Sequence, residues 1–304
     1  MLKANFVRRD AVTKVTDRAS KLVKVDASTR ITDVSGKVKT AGKLLKVLMI
    51  LISLMLGYAS ANAQFSGGNG DPGNPYLLSN IDDWNDFADY VNNNVGYFNT
   101  KHYKLTGDIG SADPTDRVTT MAASTNIFRG SFDGGGFTVW LDINPSITTP
   151  NVGLFGCVAG VTIKNLTVAG SVHYSGLANI GGIAGNVVNI VAAGNINSSL
   201  FQNCRNFAKI TCSSNPSGNS RIGGILGMAG DESSTTGMDY SAPVFFENCT
   251  NWADIDGDFC CDVGGITGMI VATDAYFDSC ENYGNVYGGK TDGGGFTVWV
   301  DPKF

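Results

Sequence analysis

A ten-residue phrase recurs four times in this chain. It reads I-K-N-L-T-V-A-G-S-V from Ile163, F-Q-N-C-R-N-F-A-K-I from Phe201, F-E-N-C-T-N-W-A-D-I from Phe246 and F-D-S-C-E-N-Y-G-N-V from Phe277. Each copy opens on an apolar residue and closes on Ile or Val nine positions later. Between copies runs a second phrase, G-apolar-x-G, at Gly153–Gly156, Gly182–Gly185, Gly224–Gly227 and Gly265–Gly268. Its opening glycines lie 29, 42 and 41 residues apart. Repeats of this period indicate a solenoid, in which each unit buries its apolar face only against the next. Constant phrases at unequal intervals mean constant strands and variable loops, the loops falling at Asn186–Ser199, Ser213–Ser220 and Asp231–Ala242.

The aligned copies predict cross-unit ladders. Equivalent residues of stacked strands lie about 4.8 Å apart. Asn203, Asn248 and Ser279 share one slot, and Asn206, Asn251 and Asn282 another. Asn tolerates left-handed backbone, and its amide can bond the same amide one unit away. Phe207, Trp252 and Tyr283 form an aromatic row, and Phe201, Phe246 and Phe277 an inward one. Cys204, Cys249 and Cys280 read as a buried column of free thiols. Disulfides between adjacent units are the alternative, and Cys212 could pair with Cys260 or Cys261. With 7 Cys, only 2 His and no C-x-x-C, the chain offers no zinc site.

Before the repeats, Tyr76-Leu77-Leu78 reads as a strand. Ser79 or Asn80 then caps a helix whose Ile81, Trp84, Phe87, Ala88 and Val91 fall on one face. Asp82 and Asp83 suit the positive end of its dipole. This is the one convincing amphipathic helix, and it reads as a cap on the open end of the solenoid. Phe137 to Ile143 alternates, with Phe137, Val139, Leu141 and Ile143 on one face and Trp140 on the other. The predicted class is all-β, a right-handed parallel β-helix with an N-terminal capping helix. No helices alternate with the strands, which excludes a doubly wound α/β fold.

Charge is unevenly spread. Residues 1–46 hold 12 of the 22 Lys/Arg but only 4 of the 27 Asp/Glu, leaving the remainder at net −13. That argues against nucleic acid or an anionic membrane surface as partner. The basic stretch precedes an apolar run, Val47–Ala59, and the small-x-small triplet Ala61-Asn62-Ala63, the order of a secretory signal. The run falls short of the roughly 20 residues that span a bilayer. The expected division is a signal peptide over 1–63, cleaved after Ala63, then a lead-in strand and capping helix over 64–101, and repeats over 102–304. An uncleaved anchor is the alternative. The basic region over 1–42 is long for a signal, which fits a start codon placed too far upstream, the true region beginning near Lys43. No Cys follows Ala63, so a lipoprotein anchor is not supported.

The units Gly153-Leu154-Phe155-Gly156 and Val263-Gly264-Gly265-Ile266-Thr267-Gly268 resemble the GLUG motif of bacterial surface proteins. The F-x-N-C-x-N phrases, the lead-in Gly73–Ser79 and Phe128–Gly134 are similar to the same family. The resemblance spans about Phe65 to Gly289. It implies a secreted or surface-exposed right-handed β-helix, similar in shape to pectate-lyase-like proteins and to exported proteins of Bacteroidetes. It implies adhesion or another surface role more than catalysis. The chain ends on Asp292–Asp301, nearly a copy of Asp133–Asp142, where a fifth Gly-rich unit is expected without its closing Gly. Truncation or recombination would account for this.

Catalytic constellations are sparse. An acid/base enzyme on such strands needs clustered carboxylates, or a carboxylate with Arg. Asp254-x-Asp256-x-Asp258 is the densest acidic run. As a calcium loop it has Phe259 where Gly is needed and Gly265 where Glu is needed, so it reads as a solvated acidic loop. Asp82-Asp83 belongs to the helix start. His102 and His173, with no Ser or Cys elbow nearby, read as surface or turn residues. Gly134-Gly135-Gly136 lacks the following Lys-Ser/Thr of a phosphate loop. Trp84 and Trp252 are explained by the cap and the aromatic row, which leaves Trp140 as the Trp to test for carbohydrate stacking.

No catalytic, cofactor or metal residue is therefore assigned. The expected function is a non-catalytic secreted or cell-surface repeat protein binding a polysaccharide or host surface glycoprotein. The alternatives are a β-helix polysaccharide lyase or hydrolase and a structural spacer.

Overall fold

The computed structural model describes residues 65–95, 97–146, 148–188, 197–213, 220–230, 243–257, 262–271 and 274–288. Among the described residues almost every regular element is a strand, and every pairing between strands is parallel. The chain revisits four sheets in one fixed order. Sheet I holds Tyr76–Leu78, His102–Leu105, Ser131–Asp133, Thr162–Lys164, Ser199–Gln202, Val244–Glu247 and Ala275–Asp278. Sheet II holds Thr138–Ile143, Thr167–Tyr174 and Arg205–Cys212. It continues through the split strands Thr250–Asn251 with Ile255–Gly257, and Glu281–Asn282 with Val286–Gly288. Sheet III holds Asn151–Val152, Asn179–Gly181, Arg221–Gly223 and Asp262–Gly264, and sheet IV holds Phe155–Val158, Ala184–Val187, Leu226–Ala229 and Thr267–Ile270. Each circuit pairs in register with the one before it.

The repeated phrase is the junction of sheets I and II. Its opening residue faces inward, in the registered column Tyr103, Phe132, Ile163, Phe201, Phe246, Phe277. Phe201 and Phe246 stack at 5.3 Å, and Phe246 and Phe277 at 4.8 Å. Two residues on, the chain turns through Asn165, Asn203, Asn248 and Ser279, all left-handed with φ between 51° and 53°. These corners are joined sideways. Asn248 Nδ2 donates to Asn203 Oδ1 at 2.8 Å, Asn203 to Asn165 at 3.0 Å, and Asn165 to Asp133 at 3.0 Å. Burial alone would raise the Asp133 pKa. The bonds from Asn165 and the Gly135 N–H, with the charges of Lys164 and Lys104, bring it below the ordinary carboxylate value instead.

The second Asn column plays a different part. Asn206, Asn251 and Asn282 are strand residues on the inner face of sheet II, in register with Val139 and Val168 of earlier circuits. Asn206 Nδ2 donates to Asn251 Oδ1 and Asn251 Nδ2 to Asn282 Oδ1, both at 2.7 Å. Each Nδ2 also donates to the carbonyl two residues on, Ala208, Ala253 or Gly284. The opening glycine of G-apolar-x-G makes room for them. A Cβ at Gly182 would lie 2.5 Å from Asn206 Oδ1, and at Gly224 2.7 Å from Asn251 Cγ. The closing glycines pack backbone on backbone, so that a Cβ at Gly227 would lie 2.4 Å from Ile180 N. The two phrases are thus halves of one packing device.

The thiols of Cys204, Cys249 and Cys280 are free and buried. Each donates to the inward residue of the preceding circuit: Cys204 to Ile163 O, Cys249 to Phe201 O at 3.3 Å, and Cys280 to Phe246 O at 3.4 Å. The disulfide alternative for these three is therefore not what the structure holds. Cys212 is buried, and its two suggested partners, Cys260 and Cys261, lie outside the described residues. The Cys204 thiol bonded to it, and then burial, hold Cys249 well above the ordinary thiol range. The native column is expected to resist maleimide until the protein unfolds. Because Cys249 stays protonated when folded, its contribution to stability is complete below an unfolded thiol pKa of about 8.5. It is lost as pH rises, by up to about 1.4 kcal/mol per pH unit. Thermal melts at pH 8 and pH 10 check this, and an unchanged midpoint would contradict it.

The helix spans Ile81–Asn92. Asn80 is its N-cap, accepting from Asp83 N, while Asp83 Oδ2 accepts from Ser79 N at 2.8 Å. Trp84, Phe87, Ala88 and Val91 are buried. Trp84 meets Phe132 and Phe155, and Phe87 meets Tyr103 and Phe128, so the helix covers the core at the first circuits. Burial, then Tyr76, pushes the Tyr103 hydroxyl well above its ordinary value, and it donates to Phe98 O at 2.8 Å.

Candidate functional site

The outer face of sheet II is where exposed side chains are organised. Arg205–Cys212 alternates cleanly, with Arg205, Phe207 and Lys209 exposed and Asn206, Ala208 and Ile210 buried. Register places Phe207 in a row with Trp252 and Tyr283. The rings stack, Phe207 on Trp252 at 5.9 Å and 8°, and Trp252 on Tyr283 at 4.0 Å and 20°. They are 46%, 48% and 54% exposed, far more than side chains spent on core packing. The same row extends back through Ala169 to Trp140, paired across the Thr167–Tyr174 strand. Trp140 therefore belongs to the row, which sequence reasoning missed because Trp140 stands outside the phrase. On sheet I a second outer row holds Leu200, Phe245 and Tyr276, with Phe245 on Tyr276 at 4.9 Å.

Polar side chains border the aromatic row on both sides. Thr138, Thr167, Arg205, Thr250 and Glu281 line one side, and Asp142, Ser171 and Lys209 the other. The Tyr283 hydroxyl donates to Glu281, Trp252 Nε1 to Thr250 Oγ1 at 3.2 Å, and Ser171 Oγ to Asp142 at 3.3 Å. Stacked as they are, the rings turn their edges to solvent beside hydroxyl, guanidinium and carboxylate groups, a surface that can take a partner carrying both apolar and polar groups.

The other candidates resolve differently. Asp254 is exposed, and its Oδ1 accepts from the Asn285 backbone N–H and from Asn285 Nδ2 at 2.9 Å. Asp256 sits within the Ile255–Gly257 strand, so this part of the run is strand and strand edge rather than loop, while Asp258 lies outside the described residues. Asp83 is consumed by Ser66, Ser79 and Asn80 at the helix start. Of the two alternatives for the histidines, surface or turn, the turn does not hold. Both are half-buried strand residues, not turn residues. His102 Nδ1 lies 2.5 Å from Ser131 Oγ, and His173 Nδ1 lies 2.7 Å from Thr211 Oγ1, each partner one circuit away. Asp133, on the same face as Ser131, is engaged by Asn165, Gly135 and Lys164. No carboxylate among the described residues bonds His102. No group of three His, Cys, Asp or Glu there could hold a metal ion, and no described helix is long and apolar enough to cross a membrane.

No protein-family model matches the chain, and no curated protein does. Among solved structures, the fold is similar to that of a Bacteroides ovatus protein described as a putative immunoglobulin A1 protease. The TM-score is 0.52 and the identity 19%, over 73% of this chain and 60% of that one. The likeness extends to the parallel-stranded fold, and this chain spans about 60% of that protein's length.

Proposed function

We propose that this is an exported right-handed parallel β-helix of the GLUG type that binds polysaccharide or a host surface glycoprotein without cleaving it. The carrying observation is the outer face of sheet II, where half-exposed stacked rings are bordered by polar and charged groups. The circuit order through four parallel sheets supports the β-helix. The signal-like residues 1–63 support export to the cell surface or medium, with 64–101 as lead-in and capping helix and 102–304 as repeats. The structural spacer remains the reading for a protein with no ligand. Glycan-array and immobilised-glycoprotein binding with the full chain test the proposal. Retention by at least one glycan class is expected, and a blank array would overturn it.

A second reading, hydrolysis, has two supports: the name of the Bacteroides ovatus protein and the Ser131–His102 contact. A nucleophilic serine needs its base oriented by a third group, and the nearby Asp133 is spoken for. Labelling by a fluorophosphonate probe that is lost in Ser131→Ala would favour hydrolysis. Absence of labelling is expected.

A further inference from the structure

We propose that the outward side chains of the last described circuit form a docking surface for a cationic polypeptide, an extended segment bearing Lys and Arg. This goes beyond the glycan reading, because the partner is selected by charge rather than by sugar.

Charge is polarised along the chain. Residues 47–221 hold 8 Lys/Arg against 10 Asp/Glu, a near balance. Residues 222–288 hold 11 Asp/Glu and no Lys or Arg. The later circuits therefore carry an uncompensated negative field, which draws cations toward them. Acidity alone names no site, and the outer faces of sheets I and II give it a shape. In the last described circuit they present, in chain order, Tyr276, Asp278, Glu281, Tyr283 and Tyr287. The three tyrosines are 52%, 54% and 57% exposed. Tyr276 stacks on Phe245 at 4.9 Å and Tyr283 on Trp252 at 4.0 Å. Their opposite faces meet no further ring among the described residues. A ring face beside a carboxylate is a setting for an ammonium or guanidinium group.

Like charges oppose each other here. Glu247 and Asp278 are register neighbours on adjacent strands of sheet I, an arrangement that destabilises a sheet. Gln202 Nε2 donates to Glu247 at 2.7 Å and Ser279 Oγ to Asp278 at 3.0 Å. Among the described residues, no ion pair reaches either carboxylate or Glu281. The nearest described cations of sheet II, Arg205 and Lys209, stand on the Arg205–Cys212 strand. That strand lies two strand spacings, about 10 Å, from Glu281–Asn282. A second copy meeting this surface would set carboxylates against carboxylates. A single small cation would answer one carboxylate and leave the others. An extended segment matches the whole rung, since its alternate side chains recur about every 6.8 Å, the spacing of Tyr276 from Asp278.

The test is calorimetric titration of the full chain with oligolysine, oligoarginine and oligoglutamate of equal length, and with spermine. It is run at physiological ionic strength, where exposed charges more than about 8 Å apart are largely screened. Both cationic oligomers are expected to bind, oligoarginine the tighter, and oligoglutamate not at all. Spermine should bind more weakly than either. Asp278→Asn with Glu281→Gln should weaken oligoarginine by about tenfold or more. The same double variant should keep or raise the melting midpoint, because a like-charge contact is relieved. Tyr276→Leu keeps apolar area but removes the ring, and should weaken binding about threefold. Asp82→Asn with Asp89→Asn removes equal charge at the capping helix and should leave binding as in the parent protein. Equal losses from the two double variants, spermine binding as tightly as the oligomers, or no binding of either cationic oligomer would overturn the docking surface. The glycan reading stands or falls by its array and not by this titration.

Discussion

Asn251→Asp, a change of one atom, is expected to cost about 3 kcal/mol or more of stability. The side chain sits wholly inside sheet II. Its Oδ1 accepts from Asn206, and its Nδ2 donates to both Ala253 O and Asn282 Oδ1. An aspartate would set a second oxygen against two acceptors. Ionised, it is repelled by both. Protonated, it satisfies one and carries a raised pKa. The sign follows: stability is nearly kept below the unfolded Asp value of about 4 and is lost as pH rises to neutral. For a unit of this size the midpoint should fall by about 10 °C at pH 7. Asn248→Asp is the comparison. It has the same chemistry but stands on the exposed left-handed corner, where Asp tolerates the backbone and water solvates the charge. Its expected cost is below about 1 kcal/mol. Equal losses for the two variants would contradict the inner and outer assignment.

Gly227→Ala is expected to be as severe or worse. The added methyl would lie 2.4 Å from Ile180 N, 2.6 Å from Gly185 O and 2.7 Å from Asn179 C. All three are backbone atoms of the preceding circuit, so no side-chain rotation relieves the clash. Circuits would have to part, exposing core on both faces and losing about 4 kcal/mol or more. Gly73→Ala, where a Cβ would meet nothing within 4 Å, should change the midpoint by little. Chemical denaturation of the two variants beside the parent protein reads this directly. A Gly227→Ala protein with native stability would mean that the circuits do not pack as described.

Much of this architecture is legible in the residues because identical slots recur. Phe201, Phe246 and Phe277 announce an inner column, and Cys204, Cys249 and Cys280 a second, since periodic positions in stacked strands must meet. The helix is equally plain from Ile81 to Val91, although residue type leaves its cap open between Ser79 and Asn80, and the structure decides for Asn80. The two Asn columns were not separable by residue type alone. Asn serves both as a left-handed corner and as a buried amide, and only register shows which faces inward. The contacts His102–Ser131 and His173–Thr211 join residues 29 and 38 apart, one circuit of variable length, so sequence proximity could not reveal them. Trp140 was singled out by its outward parity, but its membership of the aromatic row depends on the pairing of its strand with Thr167–Tyr174. The loops that set circuit length lie mostly outside the described residues.

The central claim is that equivalent residues of successive phrases hold the circuits together through the sheet, and a double-mutant cycle on Asn206 and Asn251 tests it most directly. Asn206→Ala, Asn251→Ala and the double variant are unfolded in urea beside the parent. Because the two amides bond each other at 2.7 Å, the double variant should be less destabilised than the sum of the singles, by about 1 kcal/mol or more. Simple additivity within about 0.3 kcal/mol would mean the amides do not meet and the circuits are not stacked in this register.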